Sequence, residues 1–297
     1  MRTKQTEQQA WNTYWQQHQT SNSFCCDYTE NEGPYGVVSR HWLACFETFD
    51  TSDIVCDLGA GNGALAKLFI DSRKKLNCKQ WLSTDIALTR LDFTHQKVEA
   101  RQMNAEQMEL IDQKIDVFVS MFGIEYADLK KVFAEVNRNL SPTGRYQFLL
   151  HHQDSVITKQ SRVTVNVGQR ILDNAFWQTL SNLNTLSFTE LKHLLLQQLN
   201  IQMQKASFDE QEDVKIIGHS IFSLVQSSQS THQVIMGLTE IVEQIKQQNS
   251  RLIAQINAAI QTQELSQLLE KSPLSCYKLS TLMYNHAILG WSVIGKK

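Results

Sequence analysis

The sequence predicts an α/β protein built on a doubly wound, mostly parallel sheet, and three observations predict it. An apolar run ending in an acid, residues 54–57, leads into glycines at 59, 61 and 63 and then into an apolar helical pattern reaching Phe69. Strand and helix signals alternate from Asp53 to about His152, which implies right-handed crossovers between parallel strands. Beyond that point the chain turns polar, glutamine-rich and helical in period.

Ile54, Val55 and Cys56 read as a buried strand ending at Asp57. Gly59, Gly61 and Gly63 read as a tight turn that brings backbone close to a ligand, with a helix starting near Asn62. Strand, glycine turn and helix in series present main-chain N–H groups to a nucleotide-like ligand. The spacing differs from the G-x-G-x-x-G of dinucleotide folds, with Leu65 near the place of the last glycine. No Gly-Lys-Ser/Thr ending marks a phosphate loop. A second strand, 80–84, ends in Asp85, and a weak third, 98–103, precedes Asn104, Ala105 and Glu106. The fourth covers 115–120. The fifth, 145–150, is introduced by the turn Ser141-Pro142-Thr143-Gly144 and followed by His151 and His152. Apolar Leu129, Val132, Phe133, Val136 and Leu140 predict the helix between them.

From about 160 to 263 the period is helical. Leu238, Ile241, Val242, Ile245, Leu252, Ile253 and Ile256 form one stripe, Ile171, Leu172, Ala175 and Phe176 mark another helix, and Ser187 with Glu190 forms a capping box. This is too much helix for one crossover. Strand-like chemistry returns over 276–284 and 286–294, joined near Asn285. The predicted organisation is an N-terminal helical lid over 1–35, a ligand-binding core over 36–155, an inserted helical cap or substrate subdomain over 156–262, and a C-terminal helix and strands over 263–297 that complete the core sheet. Trp11, Tyr14 and Trp15 fall on one face of the leading helix.

The 297 residues, 42% of them hydrophobic, suffice for one large domain with an insertion. Lys plus Arg number 28 against 30 for Asp plus Glu, a net charge of −2, and the longest basic block is Arg73-Lys74-Lys75. That balance argues against a protein whose main partner is nucleic acid. Six cysteines show no paired metal spacing and read as free thiols in a reducing compartment. The polar N-terminus has no apolar leader core, and no apolar run approaches the ~20 residues of a membrane span. The expectation is a cytoplasmic protein.

The segment D-L-G-A-G-N-G at 57–63 closely resembles the first motif of class I S-adenosylmethionine-dependent methyltransferases, in their bacterial small-molecule type. The resemblance covers roughly 35–152 and the last 25 or so residues. It implies a Rossmann-like, seven-stranded sheet whose last strand runs antiparallel. It also implies that Gly59, Ala60 and Gly61 pass under the methionine part of the cofactor, with Asp57 toward its ammonium. Asp85, with Ile86 beside it, would take the ribose hydroxyls. Asn104 and Ala105 would hold adenine, with Asn104 where the family usually has an acid; a helix N-cap accounts for the same residue types. Met121 and Phe122 would flank adenine or the sulfonium, and Gly123 would let backbone approach the methyl.

Methyl transfer from a sulfonium is an in-line displacement, governed by alignment and desolvation. A base is needed only for a neutral hydroxyl or protonated amine. The candidates are His151 and His152, with Glu125 and Tyr126; strand alternation lets only one histidine face the methyl. No metal-ligand spacing appears. The expected acceptor is a small molecule methylated on O or N, against an RNA or protein methyltransferase or a non-catalytic cofactor-binding scaffold. The helical insertion offers a surface for a homodimer.

Overall fold

The computed structural model describes residues 11, 15, 33–72, 77–87, 91, 93–110, 114–178, 180–274 and 277–297. Of the N-terminal lid, only Trp11, Trp15 and the residues from 33 on are among them; Tyr14, Cys25, Cys26, Cys276 and the basic block lie outside the described residues. The chain divides into two units, one of residues 1–156 and 258–297, the other of 157–257.

The first unit opens with α1 (Gly33–Phe46) and continues through β1 (Ile54–Leu58), α2 (Ala64–Ser72), β2 (Gln80–Asp85), β3 (Val98–Gln102), β4 (Ile115–Met121), α3 (Leu129–Asn139) and β5 (Leu140–Leu150). After the second unit it closes with α9 (Thr262–Glu270), β6 (Tyr277–Tyr284) and β7 (Ala287–Lys296). The seven strands stand in the order β3-β2-β1-β4-β5-β7-β6. The first five are parallel, while β7 runs antiparallel to both of its neighbours. The chain order reverses on either side of β1 and β4, and the carboxyl ends beside such a switch point are where these sheets bind ligands.

Burial explains which strands could be read. The central strands β1, β2 and β4 are buried almost throughout, and their short apolar runs at 54–56, 81–82 and 117–119 carry the signal. Edge strand β3 is buried nowhere along its length, and its signal is correspondingly weak. The helical stripe is also borne out: Leu129, Val132, Phe133 and Val136 of α3 all enter the main core with Phe118, Phe148 and Trp291. A second aromatic cluster gathers Phe46 of α1, Phe69 of α2 and Trp81 of β2, with ring centroids 4.7 Å apart for Phe46–Phe69 and 5.1 Å for Phe69–Trp81.

Two boundaries differ from expectation. The segment Ser141-Pro142-Thr143-Gly144 is not a turn ahead of the fifth strand but lies inside β5, which begins where α3 ends, at Leu140. The ladder with β4 is irregular there, passing from Ile115–Leu140 to Val117–Arg145, and such a break accommodates Pro142. His286 belongs to the connection rather than to the last strand. Asn285 and His286 have φ of 45° and 64°, the conformation of a two-residue hairpin turn.

The second unit is helical: α4 (Val156–Leu172, its first residue in the first unit), α5 (Ala175–Gln178), α6 (Phe188–Lys205), α7 (Gln211–Ser227) and α8 (Thr231–Ala258). Its core draws on Val167, Ile171, Leu191, Leu195, Ile221, Leu238 and Ile245. The capping box at α6 is formed, Ser187 accepting from the Glu190 N–H and Glu190 from that of Ser187. On α8 the buried stripe runs from Val234 through Leu238 and Ile245 to Leu252, and Ile253 is instead 41% exposed. Polar Asn249 and Gln255 interrupt the stripe, Asn249 against Gly168 and Gln255 accepting from the Ser161 hydroxyl at 3.3 Å. Among the described residues, no helix is long and apolar enough to cross a membrane and no three ligand side chains gather for a metal.

Candidate functional site

The glycine turn after β1 has the backbone that its glycines allow. Gly59, Gly61 and Gly63 have φ of 70°, 53° and 82°, all in the left-handed region. Main-chain bonds fasten the turn to β2: the Ala60 N–H donates to the Thr84 carbonyl at 2.9 Å, and the Gly61 N–H to the Asp85 carboxylate, also at 2.9 Å. The other Asp85 oxygen accepts from the Ala87 N–H at 2.8 Å. Burial raises the Asp85 pKa, and the backbone N–H bonds of Ala87, Gly61 and Ile86 partly oppose that. Ile86 itself is partly exposed.

Asp57 lies on β1 just before this turn and is almost wholly buried. Its Oδ2 has no hydrogen-bond partner among the described residues. Burial, and secondarily the Asp85 charge, push its pKa well above the usual carboxylate range. An acid so placed is short of a cation or donor, because leaving a buried acceptor unpaired costs about 1–3 kcal/mol.

After β3, Asn104 closes a local turn. Its carboxamide oxygen accepts from the Glu106 N–H at 2.9 Å, and its carbonyl from the Gln107 N–H at 3.0 Å. Ala105 packs against the main core. This is the capping geometry that competes with a ligand role, and it occupies one lone pair of the carboxamide.

The end of β4 is tightly built. Met121 is half-buried, and Phe122, with φ of 54°, holds a conformation unusual for a residue with a side chain. Its N–H donates to the Leu149 carbonyl at 2.7 Å. Gly123 has no room for a side chain. A Cβ there would lie 2.9 Å from the Gly59 carbonyl oxygen, so its bareness serves contact between the two loops. A single 3-10 turn, Ile124–Tyr126, follows.

Strand alternation separates the two histidines. His151 lies on the same side as that turn: its ring stacks on Phe122 at 4.5 Å and meets Tyr126 edge-on at 6.1 Å. His152 turns away, its ring 4.3 Å from that of Trp291 and its Nδ1 accepting from the Asp154 N–H at 2.9 Å. The expectation that either could face the site is therefore corrected for His152, which closes the strand end. Burial drives the His151 pKa down to about 3, so its imidazole is neutral at pH 7 and takes up a proton poorly.

Glu125 is buried, which no local pattern around it signals. It sits in the 3-10 turn with one carboxylate oxygen accepting from the His151 N–H at 2.8 Å. Burial pushes its pKa up to about 8, and backbone hydrogen bonds from its own N–H and that of His151 act in the opposite direction. Aromatic residues of the leader reach the same region. The Trp15 indole lies where a Cβ on Gly61 would go, Trp11 is 6.4 Å from Trp15, and Trp11 meets the Tyr126 ring at 5.1 Å.

Comparison with known proteins falls on this unit. Residues 56–148 match the family model described as a methyltransferase domain. An uncharacterized methyltransferase-like protein of Schizosaccharomyces pombe is 22% identical over 146 residues, which are 48% of this chain and 56% of that protein. The chain thus spans a little over half the length of the curated relative that it matches. Similar solved structures include the N-methyltransferase NodS of Bradyrhizobium japonicum with S-adenosyl-L-homocysteine, 12% identical with a TM-score of 0.36, covering 47% of this chain and 72% of that one. Another is the geranyl diphosphate C-methyltransferase of Streptomyces coelicolor, 16% identical with a TM-score of 0.32, covering 39% and 44%.

Proposed function

We propose that this chain, which carries an S-adenosylmethionine-dependent methyltransferase domain at residues 56–148, transfers a methyl group to oxygen or nitrogen of a small molecule in the cytoplasm. The observation that carries this reading is the convergence, at the carboxyl edge of one sheet, of the glycine turn, Asp57, Asp85 and the Phe122–His151 stack. The unpaired Asp57 oxygen supports a fit to the cofactor, since it offers an acceptor to an ammonium group. Asp85 accepts from the backbone N–H groups of Ala87, Gly61 and Ile86, leaving about one of its roughly four lone-pair sites for a ribose hydroxyl. Asn104 keeps its amide donors and one lone pair for adenine, beside Ala105, Ile86 and Met121.

When bound, the cofactor supplies a methyl group on positively charged sulfur, open to in-line displacement. In this reading Gly59, Ala60 and Gly61 bind the amino-acid end, while Phe122, Tyr126 and His151 form an apolar wall that excludes water and orients the acceptor. A near-neutral chain with an aromatic wall suits a small acceptor better than a polyanion.

The test is calorimetric titration with S-adenosylhomocysteine, beside the Gly61→Val variant. Wild type is expected to bind in the micromolar range and the variant to lose binding at least about 100-fold, because Gly61 has φ of 53° and its Cβ direction is filled. Equal affinities would refute the placement of the cofactor on this turn. Screening small hydroxyl and amine compounds for S-adenosylhomocysteine release then tests the acceptor class.

A further inference from the structure

We propose that Glu125, rather than a histidine, faces the reacting centre and accepts the proton that a hydroxyl or amine acceptor gives up. The inference rests on the methyl-transfer reading above and adds a residue to it. Three features of the structure carry it.

Glu125 is held in place: it is 6% exposed, and one carboxylate oxygen is fixed by the His151 N–H at 2.8 Å, tying the turn after β4 to the end of β5. Its other oxygen, Oε2, is buried and has no hydrogen-bond partner among the described residues. A carboxylate does not leave an oxygen unpaired in an apolar place without cost, and a catalytic role is one explanation for such an atom. Finally, Glu125 stands two residues from Gly123, whose Cα is 2.8 Å from the Cβ position of Gly59 on the glycine turn. The turn that carries Glu125 therefore adjoins the loop on which the cofactor is placed.

His151 meets Glu125 through its backbone N–H from the end of β5, and Tyr126 follows Glu125 on its own turn, the His151 and Tyr126 rings lying 6.1 Å apart. The influences on its titration are burial first and backbone hydrogen bonds second, with no charged side chain among them. His151 is a much weaker base in the same surroundings. Basicity near the working pH is what proton transfer in a transition state favours.

The step balances as follows. The O–H or N–H bond of the acceptor breaks and its proton goes to Glu125 Oε2. The acceptor lone pair forms the new bond to the methyl carbon, and the C–S pair returns to sulfur to leave a neutral thioether. The carboxyl then returns its proton to water.

The experiment follows the His151 backbone amide by NMR, whose N–H is bonded to this carboxylate, in the full chain from pH 6 to 10. It is run free, with S-adenosylhomocysteine, and with S-adenosylmethionine. The expected result is a titration near pH 8 in the free chain and with the thioether, displaced downward by about one pH unit or more with the sulfonium, since a cation within about 4–6 Å favours the charged carboxylate. Glu125→Gln should abolish the titration. If both ligands bind but the sulfonium leaves the midpoint where the thioether does, Glu125 is remote from the reacting centre and the inference fails. This comparison needs no variant, so poor folding of Glu125→Gln does not blunt it. If calorimetry shows that neither ligand binds, the cofactor reading has failed instead.

Discussion

Gly59 shows how little freedom single residues have at this site. Its φ is 70°, and a Cβ would stand 2.8 Å from the Gly123 Cα, a backbone atom that cannot swing aside. Gly59→Ala is expected to cost about 2 kcal/mol or more from strain and overpacking, read as a lowered denaturant midpoint, and to weaken S-adenosylhomocysteine binding. Buried titratable residues set the pH response. The Glu125 pKa is 4.5 unfolded and about 8 folded, so between these values the folded state holds a proton that the unfolded state has lost. Stability therefore falls as pH rises from 4.5 to 8, and Asp57 and Asp85, also raised, act in the same direction. His151 is lowered from 6.5 to about 3, and its contribution is lost as pH falls through that window. The thermal midpoint should drop between pH 6 and pH 8, and drop less in Glu125→Gln. An equal drop in both proteins would mean that Glu125 is not the buried acid responsible.

At the scale of elements, the sheet depends on a few joints. The β6–β7 hairpin turns on Asn285 and His286, both at positive φ. Glycine suits the second position of such a turn far better than histidine, so His286→Gly is expected to raise stability by about 0.5–1 kcal/mol in chemical denaturation. A loss of stability would show that the His286 side chain makes a contact worth more than its backbone strain. Buried joints link the strands elsewhere: the Ser120 hydroxyl donates to the Leu58 carbonyl at 2.7 Å, tying β4 to β1 beside the glycine turn. Arg145 of β5 meets Asp53 ahead of β1 at 2.6 Å.

At the scale of the whole molecule, the first unit is continuous in space although its chain is interrupted. The His151 carbonyl accepts from the Ile260 N–H at 3.0 Å, and the Gln153 N–H donates to the Ile260 carbonyl at 3.2 Å. The two points where the chain leaves and rejoins this unit are therefore bonded neighbours. Replacing residues 157–257 by a short Gly/Ser linker should leave a protein that unfolds cooperatively and binds S-adenosylhomocysteine within about tenfold of the full chain. Aggregation of the shortened chain, or loss of binding, would show that the first unit needs the helices to stand.

The sequence by itself determined the sheet, the glycine turn and the helical insertion, because periodicity, apolar runs and glycine chemistry are local. It also placed Asp57, Asp85 and the two histidines at strand ends, since alternation of strand and helix needs no knowledge of neighbours. Tertiary structure decided the rest. His151 was separated from His152 by the register of β5 against β4 and β7, which sets the phase of a two-residue alternation. Gly123 was assigned to packing by Gly59, 64 positions away. Glu125 looks like any acid in a short turn until the His151 N–H, 26 residues along the chain, and the surrounding apolar side chains remove it from water. Burial and pKa belong to neighbours brought together by folding, and neighbours distant in the chain leave no local signal.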